Sequence, residues 1–380
     1  MSRDTEFRLF FNNEPAEQEE LDRVESITVE QEAGVAWEAR LEMPICLDAR
    51  GRWQGMDERL IRSTSRVRVE VSIRGGSFEA LIDGPVVDFE NPMHAQPGRS
   101  TVTLTISDDS VNLNQREINF SSEVDNVYEL VDAAYSGCRQ IETVEIDEAL
   151  RNVTFEVEEF RQNGTTMQVL YDLARCLGRH AYILPGRDPG RSVGCFKPFA
   201  DGVNRRRVSQ ALPEMVLLGE QANIDDFSVR KDFKSPGRYQ GARLNMADKR
   251  IDTQAASFSD HEPLGDQQAL TSEESPVERR IGSGPCAAIP LDELADARAR
   301  ESGFAFAANG TVREGCYRGV LRPYRLVSVS AGGTPHSGEY VVSQVTHTLT
   351  RSNYTQSFQL ARNGRSEESN DRAAAAGKVF

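Results

Sequence analysis

A cysteine and a histidine four residues apart can meet on one face of a helix, and a thiol beside an imidazole suits nucleophilic catalysis. Cys176 and His180 have that spacing. Gly178 stands between them and reads as the end of the helix, so a buried thiol beside a helix-end histidine is the expectation. His261-Glu262 could open a zinc-binding HExxH run, but Pro263 follows at once and breaks the helix that would present a second ligand. His336 and His347 are an odd number of residues apart, which along one continuous strand puts them on opposite faces. A turn histidine and a strand-face histidine fit better than a metal pair. Gly310 to Gly315 has the spacing of a phosphate loop, yet Cys316 stands where the phosphate-binding lysine would be. No GxGxxG follows a strand and no GxSxG elbow occurs. Carboxylates are so numerous that close pairs arise by chance, which leaves no basis for choosing a general acid and base. No catalytic, cofactor-binding or metal-ligating residue is assigned, and no cofactor is expected.

The elements that would carry any function come from a chain of 380 residues, enough for two or three domains at roughly 150 residues each. Hydrophobic residues at 38% and charged residues at 27% make a globular composition. There are 59 acids against 44 bases, a formal net charge of −15, which argues against a general binder of nucleic acid or anionic membrane. The charge is concentrated. Glu14 to Glu32 hold eight acids and one base, and Ile141 to Phe160 hold seven acids and one base. They read either as solvated acidic faces or as charge that an assembly gathers along one surface, such as a lumen. The compact basic cluster Arg205-Arg206-Arg207 reads as a boundary. Six scattered cysteines without a CxxC pair read as buried thiols in a reducing compartment. No apolar run approaches the roughly 20 residues of a membrane span, and the start MSRDTEFRLF lacks the pattern of a secretory signal.

Residues 1–110 read as β. Phe7, Leu9 and Phe11 alternate, as do Val35 to Met43 and Val67 to Ile73, with Arg68, Glu70 and Ser72 on the other side. Such runs, bounded by turn residues, predict antiparallel strands with one buried face. Residues 111–208 read as a small α/β module. Asn126 to Tyr135 and Met167 to Leu177 have helical spacing, Val153 to Val157 looks strand-like, and Ala181 to Leu184 with Ser192 to Phe196 flank the PGRDPG turn as a hairpin. Residues 209–362 return to β, with a long loop over 252–288 and a helix over Asp292 to Ala308. Residues 363–380 read as a flexible tail. The fold class is mainly β with an α+β insert.

The stretch Gly319 to Gly364 is more specific. Leu321, Pro323, Ser337-Gly338, Tyr340, Val342, Val345, His347, Tyr354, Phe358, Leu360, Arg362 and Asn363 fit the pattern of the tail-hub family of contractile phages and injection systems, which includes late control protein D and the hub portion of VgrG spikes. Thr165 to Gly178, Pro213 to Phe227 and Ala295 to Phe306 resemble further segments of that family. Tyr324 departs from it, because glycine is frequent there, and this puts the local turn in doubt.

The resemblance implies two tube-like antiparallel β-barrel domains separated by the α/β module. It implies a structural protein without catalysis that forms a homotrimeric ring, adapts a sixfold tail tube to a trimeric spike and lines the channel through which DNA or cargo passes. The implied partners are the tail tube protein, a separate central spike and other baseplate proteins. The implied place is a virion tail, a baseplate or a phage-tail-like particle assembled in the bacterial cytoplasm. Val379-Phe380 could anchor the tail on the spike, or the tail could have no role. Two other readings stay open: a cell-wall hydrolase of the tail tip, and a soluble β-barrel that binds a small ligand.

Overall fold

Alternating apolar residues place every second side chain on one face of a strand, and a sheet with one such face must cover it. The computed structural model describes residues 5–54, 65–96, 98–122, 126–157, 160–200, 212–244, 249–282 and 286–366. The first β region supplies β1 (Thr5–Phe11), β2 (Ser26–Glu32), β3 (Glu38–Pro44), β4 (Arg66–Ile73), β5 (Glu79–Glu90) and β6 (Thr101–Ser107), with a short helix α1 (Gln18–Leu21) between β1 and β2. Leu9, Ile27, Val29, Leu41, Val69 and Leu104 are fully or nearly fully buried in its core.

The insert follows with α2 (Ser110–Asn114), β7 (Glu117–Ser122), α3 (Val127–Ser136), β8 (Ile141–Ile146), β9 (Phe160–Thr165), α4 (Thr166–Cys176), β10 (His180–Pro185) and β11 (Ser192–Lys197). The Asn126 side chain caps α3 and that of Thr165 caps α4, each accepting backbone N–H groups that the helix leaves unpaired. The predicted hairpin is present, since β10 and β11 pair antiparallel, and β8 adds in parallel to β11. The strand-like Val153 to Val157 stretch is not a strand. A 3₁₀ turn, Glu148–Asn152, precedes it, and Val153 and Phe155 are buried as irregular chain in the insert core.

The remaining elements are β12 (Ile224–Lys231), β13 (Gly237–Leu244), β14 (Ile251–Ser257), β15 (Val277–Arg280), α5 (Leu291–Ser302), β16 (Phe306–Val312), β17 (Leu326–Ser330), β18 (Gly338–Thr350) and β19 (Tyr354–Arg362). Two expectations are corrected here. The long loop over 252–288 contains β14 and β15, because backbone pairing with β13 orders residues too polar to be recognised by burial. The helix stops at Ser302, and Phe306 already begins β16.

Both β regions share one thirteen-stranded sheet, whose path runs β12-β16-β19-β18-β2-β3-β6-β5-β4-β1 and ends on the short strand Glu14–Pro15. The seam is β18 against β2, with His347 opposite Val29 and Leu349 opposite Ile27. The fold is mainly β with an α/β insert, as the sequence pattern implied. The insert core draws on distant chain: Cys286, Ile289 and Leu294 pack with Leu170 and Leu173. Among the described residues, no helix is long and apolar enough to cross a membrane.

Candidate functional site

The residues with possible chemistry do not converge. Cys176 ends α4, Gly178 follows with φ +60°, and Cys176 forms a disulfide with Cys286 at a Cα–Cα distance of 5.6 Å. This corrects the reading of six free thiols. The partners are 110 residues apart, so no local spacing could reveal them. Burial pushes the Cys195 thiol up to about 12, the wrong direction for a nucleophile. His261 sits beyond a 3₁₀ turn, 3.4 Å from Asp296. His336 lies in a turn, and His347 is buried on β18. Gly310 lies within β16, where a Cβ would come 2.2 Å from the carbonyl oxygen of Asp226, so it serves strand packing and not a phosphate loop. The Arg205 to Arg207 cluster and Val379-Phe380 lie outside the described residues. Among the described residues, no group of three or more His, Cys, Asp or Glu could hold a metal ion.

The residues that fit the hub pattern are structural. His347 Nε2 lies 3.3 Å from Gln31 Oε1, and Gln31 Nε2 donates to Leu81 O at 2.6 Å. The Gln31 oxygen therefore accepts from His347, and His347 Nδ1 accepts from the Tyr354 hydroxyl at 2.9 Å. Burial and the nearby Arg322 charge push His347 down to about 3, so the ring is neutral. Arg362 donates to Leu264 O at 2.6 Å and to Ser337 O at 3.1 Å. Asn363 accepts from Leu264 N at 2.7 Å. The two side chains tie the segment before the short strand Gln267–Gln268 to the end of β19.

Tyr324 keeps the turn that its side chain put in doubt. Its φ is +69°, the region where glycine costs least. Contacts with both other regions hold it there. Its ring stacks on Tyr182 at 3.8 Å, its hydroxyl accepts from Gly34 N at 2.6 Å, and His180 Nδ1 lies 3.3 Å away.

A second junction is ionic. Arg66 donates twice to Asp109, at 2.8 Å each, and to Asp83 at 2.7 Å. Arg68 donates to Asp83 at 3.0 Å and to Gly186 O at 2.9 Å. Gly190 N donates to Asp83, and Ser192 Oγ to Asp109. The PGRDPG turn thus sits on the side of β4 that the sequence pattern left to solvent, and Arg68, Glu70 and Ser72 are buried. One-sided burial is corrected for β4: alternation is present, but the insert covers the polar side.

The extended feature of the molecule is a polar sheet face. Opposed residues in a ladder share a face. Asp226 faces Thr311, Thr311 faces Ser357, and Ser357 faces Thr346. Thr346 faces Glu30, Glu30 faces Glu38, Arg40 faces Thr105, and Thr105 faces Asp88. The face crosses the eight strands β12, β16, β19, β18, β2, β3, β6 and β5. Thr, Ser, Asn and Gln dominate it, with Glu30, Glu32, Glu38, Glu42, Asp88, Glu90 and Asp226 against Arg40 and Arg230. Of the first acidic segment, Glu30 and Glu32 lie on this face, while Glu19 and Glu20 lie on α1. Four acids of the second are paired elsewhere: Glu145 with Lys197, Asp147 with Arg179, Glu148 with Arg151 and Glu156 with Arg243.

No protein-family model matches the sequence. Comparison with curated proteins also returns no match. Solved structures do share the backbone. The 43 kDa tail protein of prophage MuSo2 from Shewanella oneidensis aligns with a TM-score of 0.61 at 13% identity, covering 94% of this chain and 98% of that one. A tail protein from Neisseria meningitidis MC58 gives 0.60 at 12%, covering 94% and 96%. The Escherichia coli c3393 protein gives 0.55 at 9%, covering 89% and 73%; it is described as a type VI secretion component similar to the phage T4 tail proteins gp27 and gp5. The chain therefore has the fold of phage tail proteins and their secretion-system counterparts.

Proposed function

We propose that this chain is a structural hub of a contractile phage tail or a phage-tail-like injection particle, assembled as a ring of three copies with the polar sheet face turned to a central channel. The observation that carries the reading is that face. It spans eight strands and offers small neutral side chains and carboxylates, without aromatic platforms on which bases could stack. With Arg40 and Arg230 as its cations, it gives phosphates little to bind. A wall of this kind lets a polyanion slide past without adhering.

The likeness to tail proteins supports the same role. Three copies with two β regions each would present six similar units to a sixfold tube and threefold symmetry to a separate spike. The role is positional, and no catalytic residue is assigned to it.

The test is the mass of the purified protein in solution, with negative-stain images of the same sample. A trimeric ring with a central hole is the expected result. A protein that stays monomeric with every neighbouring tail protein added overturns the reading.

A further inference from the structure

Three arginines from three elements line one cavity of about 340 Å³: Arg175 of α4, Arg280 at the end of β15 and Arg298 of α5. Arg175 and Arg298 also pair with Asp172 and Glu301. Both pairs are partly exposed and neither acid lines the cavity, so each guanidinium keeps further donors for it. Cys286 lines the same cavity and its disulfide partner Cys176 does not. Cys286 is 6% exposed and Cys176 2%, so a reagent in the cavity meets the Cys286 side of the bond.

The bond fastens two distant parts of the chain. Cys176 is the last residue of α4 in the insert, and Cys286 precedes α5. Other contacts already hold these parts together. Cys286, Ile289 and Leu294 pack with Leu170 and Leu173, and Glu156 N donates to Ala288 O at 2.8 Å. The disulfide therefore reinforces a contact that the open form keeps.

We propose that Cys176 and Cys286 form a redox latch that closes by thiol–disulfide exchange at Cys286, with a small anionic disulfide as the oxidant. Guanidinium groups around Cys286 favour its thiolate and draw an anionic reagent to it. The Cys286 thiolate attacks one sulfur of the small disulfide, forms a mixed disulfide and expels one small thiolate. The Cys176 thiolate then attacks Cys286 Sγ, forms the protein disulfide and expels the second. Two protein thiols and one small disulfide give one protein disulfide and two small thiols, which carry away both protons. Reduction runs the same steps backwards, so the latch follows the thiol–disulfide balance of the medium. It does not depend on the ring reading above.

The test uses the full chain with Cys46→Ser and Cys316→Ser; Cys138 and Cys195 are buried and stay. The reduced protein is mixed with oxidised glutathione (anionic), hydroxyethyl disulfide (neutral) or cystamine (cationic) in low salt. Closure is followed by mass after alkylation, and each rate is taken relative to that of a small model thiol. Oxidised glutathione should close the latch about ten-fold faster than cystamine. Arg280→Gln with Arg298→Gln should reduce that ratio several-fold and leave the rate with the neutral reagent nearly unchanged. Cys176→Ser should stop the reaction at a glutathione adduct on Cys286, located by peptide mapping. The closed form should melt several degrees above the reduced form, with the same circular dichroism. A flat or reversed charge ranking overturns the site, as does a folded Cys176→Ser variant without the Cys286 adduct. The ranking uses the natural cysteine pair, so it decides even where Cys176→Ser does not fold. A reduced protein that melts like the closed one overturns the latch.

Discussion

His347 shows what a single residue contributes. It is fully buried and neutral, held by Gln31 across the β2–β18 seam and by Tyr354 on the neighbouring β19. Its folded pKa is pushed down to about 3 from an ordinary 6.5. The unfolded chain therefore takes up the proton first as the pH falls. The stability is whole at neutral pH and is lost as the pH drops below 6.5. Between pH 7 and 5 that loss is about 2 kcal/mol for His347. His180, pushed down to about 4 by burial, adds a similar amount in the same direction. Asp108 opposes them. Burial raises it to about 6, so acid relieves its charged form and returns about 1 kcal/mol over the same interval. Urea midpoints measured at pH 7, 6 and 5 should fall, and His347→Gln should flatten the fall by about 2 kcal/mol. Parallel curves for the two proteins would remove His347 from the account. The sequence marked His347 as a strand-face histidine, and the alternation around it placed it correctly. It could not show the partners, because Gln31 lies 316 residues away. Tyr324 is the reverse case. Its departure from glycine was legible as an anomaly, and only the stack on Tyr182 and the bond from Gly34 explain why the left-handed turn persists.

At the scale of elements, period-two patterns located β1, β3, β4 and β6, and helical spacing with caps located α3 and α4. The failures share one physical cause. A strand held by its neighbours' backbone needs no apolar residues of its own, so β14 and β15 looked like loop. A strand covered on both sides can carry charge inside, so the burial of Arg68 and Glu70 was not foreseen. The network around Arg66 and Arg68 therefore yields a test of how the insert is fastened. Asp109 is fully buried and the Arg66 side chain is 13% exposed; without Asp109, Arg66 keeps its bond to Asp83 but loses the two to Asp109, and the buried Ser192 hydroxyl loses its acceptor. Asp109→Ala should cost about 1–3 kcal/mol of stability. Asp225→Ala, which breaks an exposed pair with Arg313, should cost less than about 1 kcal/mol. The PGRDPG turn should also become the first site of proteolytic nicking in the Asp109 variant. If both variants lose equally little, the insert is held by its apolar contacts and Tyr324 alone.

At the scale of the whole molecule, the sequence held the charge excess but not its address. Its two acidic segments looked equivalent, and they are not. In the second, Glu145, Asp147, Glu148 and Glu156 are each paired with a base, whereas Glu30 and Glu32 of the first join Glu38 and Glu42 on one open face. Register decides this, because a one-residue slip of β2 would turn those carboxylates into the core. If the face lines a channel for a polyanion, its sign matters more than its shape. Glu30, Glu32, Glu38 and Glu42 changed together to Lys should leave the melting temperature and the ring nearly unchanged, since none of the four is buried. The same change should slow the passage of DNA or other anionic cargo from assembled particles, and more strongly in low salt, because cations at the wall hold phosphates and salt screens the hold. The four changed to Gln should pass cargo at close to the normal rate, which separates attraction by new cations from loss of the old repulsion. Particles carrying the Lys variant that release cargo at the normal rate in low salt would place this face away from the channel, and the search for the wall would move to other faces of the ring.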